Sequence, residues 1–151
     1  MNDQIETIRK TRSFLLDYIK ELNIGQLNKI PAGFNNNIAW NLGHMVAAQQ
    51  GVCYLRAGLK TWVNEDFFNA YKPGSKPTEY INESKIEKIK ELFFSSLDIL
   101  NSDYAKGLWT NYSAWSTRYG VELKTIEDAI QFLNFHEGLH LGYVMALKRA
   151  I

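Results

Sequence analysis

Four stretches of this chain repeat apolar residues every three or four positions, and each keeps that rhythm for about twenty residues. The first runs from about Asp3 to Leu22, with Ile5, Ile8, Leu15, Ile19 and Leu22 on one stripe. The second runs from about Asn36 to Ala57 and is entered through a Pro31-Ala32-Gly33 turn. The third spans roughly Glu83 to Tyr104, with Ile86, Ile89, Phe93, Leu97 and Leu100 in register. The fourth opens at Thr125, where Thr125-Ile126-Glu127-Asp128 has the form of a capping box, and continues to about Arg149. Helices with one apolar stripe must bury it against each other, so the pattern predicts an all-α four-helix bundle over residues 1–151.

The connections are unequal. Residues 59–82 form a long link between the second and third helices. A helix of about 22 residues is roughly 33 Å long, and such a link can travel back along it. The third helix is therefore expected to run parallel to the second, with a crossover between them. Residues 105–124 are rich in aromatics, and Tyr119-Gly120-Val121-Glu122-Leu123 reads as a short strand or hairpin arm.

Composition narrows the partners. The net charge is +1, from 17 basic and 16 acidic residues, so no basic field favours nucleic acid. No apolar run approaches the ~20 residues of a membrane span. The polar start Met1-Asn2-Asp3-Gln4-Ile5-Glu6 lacks a signal-peptide core. Cys53 is the one cysteine, so no internal disulfide forms, and a cytoplasmic setting is expected.

The histidines carry the chemistry. His136 and His140 are four apart on the fourth helix, and His44 lies on the second. An i, i+4 pair projects two imidazoles from one face. That face also carries Ala129, Leu133 and Val144, so both rings are expected to turn inward. A third imidazole from a facing helix completes a three-nitrogen cap on a divalent cation. Open coordination positions remain, which is the layout of a catalytic site. Asn41, Ala47, Ala48 and Gly51 share the His44 face, and the small residues among them admit a close neighbour.

Longer motifs point to a family. Asn36-Asn37-Ile38-Ala39-Trp40-Asn41-Leu42-Gly43-His44 resembles the second-helix signature of the DinB-like (damage-inducible) superfamily. His136-Glu137-Gly138-Leu139-His140-Leu141-Gly142 resembles its fourth-helix signature, and Phe68-Asn69-Ala70-Tyr71-Lys72-Pro73-Gly74 and Tyr119-Gly120 resemble its inter-helix segments. The resemblance covers nearly the whole chain. It implies an up-down-down-up bundle and a divalent metal, zinc or nickel, held by His44, His136 and His140. It also implies a homodimer and chemistry with low-molecular-weight thiols such as bacillithiol, mycothiol or glutathione.

Other readings compete residue by residue. His136-Glu137-Gly138-Leu139-His140 matches H-E-x-x-H, in which the glutamate activates water in zinc proteases. Glu137 is thus the candidate catalytic residue. However, no His, Asp or Glu follows His140 in this chain to serve as third ligand. Glu137 lies about 100° round the helix from His136, where it can instead pair with a neighbouring helix or support a ligand. Asn41, three residues before His44, is the candidate cofactor-binding residue; the alternative is that it satisfies backbone groups at the helix start. Cys53 is nine residues beyond His44, too far round the helix for a ligand, and reads as a small buried residue. Trp62, Phe67, Phe68 and Tyr71 either roof a pocket or plug the bundle end. Lys85, Lys88 and Lys90, mixed with Glu83, Glu87 and Glu91, read as a solvated face.

The function expected from these residues and the resemblance is thiol-dependent S-transfer to a small-molecule substrate. The pocket is expected to be lined by Asn41 and by the 59–82 and 105–124 links. Two alternatives stand beside it: a hydrolase with metal-activated water, and a metal-binding stress-response module without turnover.

Overall fold

A computed structural model describes residues 1–151. Its helices are α1 (Asn2–Ile19), α2 (Ile24–Asn28), α3 (Ile38–Cys53), α4 (Glu65–Tyr71), α5 (Glu83–Ala105) and α6 (Ile126–Arg149). A 3-10 turn, Leu55–Ala57, extends α3, and a two-stranded hairpin pairs β1 (Trp115–Ser116) with β2 (Glu122–Leu123). No helix is long and apolar enough to cross a membrane.

Side-chain pairs fix the directions of the four long helices. Gln4 meets Asn134 near one end of α1 and α6, and Tyr18 meets Lys148 near the other, so these helices are parallel. Arg9 meets Asp98 while Arg12 reaches Phe93, so α5 runs against α1. Gln49 bonds Ser96 and Tyr54 bonds Asp103, so α3 is parallel to α5. The result is the up-down-down-up bundle, with the 59–82 link as its crossover.

Local chemistry sets the ends of the elements. Asparagine side chains accept from backbone N–H groups at the starts of α2, α3, α4 and α5, through Asn23, Asn37, Asn64 and Asn82. Thr125 and Asp128 form the expected capping box on α6. The structure also corrects the sequence reading. α1 stops at Ile19, and the turn after it contains α2, whose Asn23–Gln26 capping box starts a new helix. The long link holds a further helix, α4, that the sequence reading did not name. Seven residues are too few to show a stripe, but Asn64 followed by Glu65 and Asp66 is a helix start. The hairpin arm narrows to Glu122–Leu123, and Gly120 takes the turn at φ 77°.

α3 is the central element, with fourteen of its sixteen residues buried. It is covered by α5 and α6 and also by α4. Gly43 permits the α4 contact: a Cβ there would overlap the Tyr71 ring. The apolar core has two parts. One gathers Leu15, Ile19, Ile38, Met45 and Phe93; the other gathers Ile5, Ile8, Cys53, Leu97 and Leu133. Between them lies a polar layer contributed by all four long helices. Arg12, fully buried, donates to both Glu137 oxygens at 3.1 and 2.7 Å, to Phe93 O at 2.8 Å and to Gln49 Oε1 at 3.3 Å. Ser96 Oγ donates to Gln49 Oε1 at 2.8 Å and closes the layer. Arg12 occupies a core place in the α1 stripe, between Ile8 and Leu15, and that position was its sequence signal.

Candidate metal site

The three histidines converge. One ring nitrogen from each of His44, His136 and His140 lies within 4.8 Å of the others. Ring centroids are 5.3 Å apart for His44–His136, 4.6 Å for His44–His140 and 4.5 Å for His136–His140. His44 is buried at 6% exposure, and the other two are half-buried. The pair does not sit on the α6 core stripe as expected. Glu137 sits there, fully buried, while the histidines flank it and face a cleft.

Hydrogen bonds orient two of the rings. His44 Nδ1 lies 2.7 Å from the carbonyl oxygen of Tyr71. A carbonyl only accepts, so Nδ1 carries the proton and the Nε2 lone pair is free. His140 Nδ1 lies 2.8 Å from Asn41 Oδ1. Asn41 Nδ2 already donates to Asn36 Oδ1 at 2.8 Å and to Asn37 O at 2.7 Å, which fixes the amide with its oxygen toward His140. The same logic therefore frees Nε2 of His140. The third ring is different: His136 Nδ1 is buried and has no hydrogen-bond partner. An orphaned buried polar atom costs about 1–3 kcal/mol.

Electrostatics keep the cluster neutral. Burial lowers the His44 pKa, against the raising effect of its Tyr71 bond. Burial first, then repulsion from His140 and His44, holds His136 well below its ordinary value. His140 is pushed down to about 3 by burial, His44 and Arg118. Neutral imidazoles are the ligating form. Three convergent neutral nitrogens, two of them fixed by acceptors behind the rings, and one orphaned ring fit a divalent cation.

Beside the rings lies a cleft of about 960 Å³, of ligand-pocket size. Both links contribute to it, through Phe68 and Pro73 from one and Trp115, Arg118 and Tyr119 from the other, and Asn41 also lines it. The aromatics of the 59–82 link divide their roles. Phe68 lines the cleft, Tyr71 packs over Gly43, and Trp62 donates to Asp103 at the far end of α5. Cys53 is buried in the second apolar cluster, and burial raises its thiol pKa. The lysine face is solvated, with Lys88–Glu91 and Lys90–Glu87 contacts.

Glu137 does not join the histidine cluster or line the cleft. Its carboxylate is taken by Arg12. Burial pushes its pKa up, while the Arg12 charge and hydrogen bonds pull it down. The H-E-x-x-H spacing is therefore present without the protease geometry. Sequence reasoning missed Tyr71 O, since a backbone acceptor carries no side-chain signal. It also missed Arg56 and Arg118, which acquire a direction only when the hairpin forms.

No curated protein matches this chain. A family model described as the DinB superfamily matches residues 7–144, a span that holds α3, α4, the hairpin and all three histidines, and the chain belongs to that superfamily.

Proposed function

We propose that the protein is a metal-dependent enzyme that transfers a low-molecular-weight thiol to an electrophilic small molecule. The observation that carries this reading is the neutral three-histidine cluster opening onto the cleft. His44, His136 and His140 would hold a divalent ion, zinc or nickel, which would supply the Lewis acidity that favours the thiolate form of a thiol near neutral pH. The protein's own part is to position and to exclude. Asn41 and Tyr71 hold the rings of His140 and His44, and Trp40 stacks on His44 with centroids 4.7 Å apart. Phe68 and Tyr143 give the cleft an apolar wall for the electrophile. The absence of any carboxylate from the cleft lining favours thiol over water as nucleophile, since no general base stands ready for hydrolysis.

The test is metal analysis of the purified protein, followed by calorimetry and turnover over a panel of thiols and electrophiles. Near one metal per chain, with thiol binding that disappears in His140→Ala, is the expected result. A metal-replete protein that binds no thiol and turns over nothing overturns the transferase reading. We also propose a homodimer built on bundle faces, supported by exposed Phe14 on α1 and Phe135 on α6, at 53% and 52% exposure. Light scattering showing monomer alone at micromolar concentration contradicts it.

A further inference from the structure

The charge lining the cleft has one sign. Arg56 and Arg118 are its only side chains charged at neutral pH, and no aspartate or glutamate lines it. The chain as a whole carries 17 basic and 16 acidic residues, so this is a local segregation. Neither guanidinium has a carboxylate within ion-pair distance.

Both are held by aromatic rings of the 105–124 segment. The guanidinium carbon of Arg56 lies 4.1 Å from the centre of the Trp115 ring. That of Arg118 lies 5.0 Å from the centre of Tyr119, and its Nη2 donates to the Tyr119 hydroxyl at 2.9 Å. The Trp115 ring is itself anchored. Its Nε1 donates to the Tyr112 hydroxyl at 3.1 Å, and that hydroxyl donates to Val52 O on α3 at 2.8 Å. A stacked guanidinium spends its face on the ring and keeps its in-plane N–H donors at the edge. Apart from the Arg118–Tyr119 bond, those donors meet no protein acceptor. Arg118 lines the same cleft as all three histidines.

We infer that Arg118 and Arg56 form an anion-binding rim, so that the cleft takes a small molecule bearing a carboxylate beside its reacting group. The planar fork of a guanidinium matches a carboxylate through two parallel hydrogen bonds. The aromatic platforms restrict both side chains before the ligand arrives, which lowers the ordering cost of binding. This names a substrate class for the reading above and rests on it for the reacting group. The anion contact itself requires no metal.

The experiment is calorimetric titration of zinc-loaded and metal-free protein with mercaptosuccinate, its neutral dimethyl ester, and succinate. Zinc-loaded wild type is expected to bind the acid roughly tenfold or more tighter than the ester. Succinate should bind the metal-free protein. Arg118→Met should remove both effects without changing zinc content, Arg56→Met should weaken them, and Arg118→Lys should restore part of the acid preference. Equal affinity for acid and ester in wild type, or a preference that survives the double Arg56→Met/Arg118→Met change, overturns the inference. The two readings fail separately. Succinate binding that depends on Arg118, without thiol turnover, removes the transferase and keeps the anion rim. Turnover in which the ester serves as well as the acid does the reverse.

Discussion

At the scale of single residues, the site depends on acceptors behind the histidines as much as on the rings. Asn41 Oδ1 fixes His140 because two donor contacts hold the Asn41 amide in one orientation. Asn41→Leu removes that acceptor, and metal affinity should fall about 10–100-fold with the helix content kept. Competition against a chromophoric chelator measures this, and an unchanged affinity would mean that Asn41 serves only the start of α3. The depressed histidine pKa values set a pH dependence. In the unfolded chain these rings protonate near 6.5, whereas the native cluster stays neutral further down, for His140 to about 3. Between those values the unfolded state binds more protons, so stability of the metal-free protein falls as pH falls through that window. Denaturant midpoints at pH 7, 5 and 4 should show the decline, and the triple His44→Asn/His136→Asn/His140→Asn variant should lose part of its slope. Identical slopes would show that the cluster is not held neutral by burial.

At the scale of elements, α4 matters more than its seven residues suggest. Its last residue, Tyr71, gives the carbonyl that orients His44, and its ring lies on Gly43 of the neighbouring helix. Trp40 Nε1 donates to Ala70 O at 3.2 Å and ties the same element down. Gly43→Ala adds a methyl where the ring sits, so Tyr71 must move. We expect about 1–3 kcal/mol of destabilisation from overpacking, together with weaker metal binding. Tyr71→Ala should relieve the overlap, so the double variant should recover stability relative to Gly43→Ala but not the lost metal affinity. If Gly43→Ala binds metal as wild type does, the α4 carbonyl is not what holds His44.

At the scale of the whole molecule, the Arg12–Glu137 layer joins all four long helices between two apolar clusters. A buried pair is costly to break from one side, because the other charge is left without a partner. Arg12→Met alone should therefore destabilise by about 3–5 kcal/mol, whereas Arg12→Met with Glu137→Met should lose much less. Chemical denaturation of the single and double variants checks this. A double-variant loss equal to the sum of the Arg12→Met and Glu137→Met losses would show that the two residues are not coupled. The layer also explains why Glu137 is unavailable to the cleft, for a carboxylate that links α6 to α1 cannot turn toward the histidines without stranding Arg12.

Periodicity was enough for the existence of the four long helices and the length of the 59–82 link for their crossover, although α3 is buried nearly all round rather than along one stripe. The i, i+4 spacing likewise set His136 and His140 side by side, because it is a property of one helix. What turned toward what was decided only in the folded chain. The approach of His44, the division between cleft-facing histidines and core-facing Glu137, and the Tyr71 carbonyl all depend on how α3, α4 and α6 meet. The guanidinium contacts of Arg56 and Arg118 depend on a hairpin of two-residue strands, of which the sequence signalled only the arm Tyr119-Gly120-Val121-Glu122-Leu123. These are contacts between segments distant in sequence, whose geometry is set by packing and by a glycine that lets a ring approach, rather than by the period of any one helix.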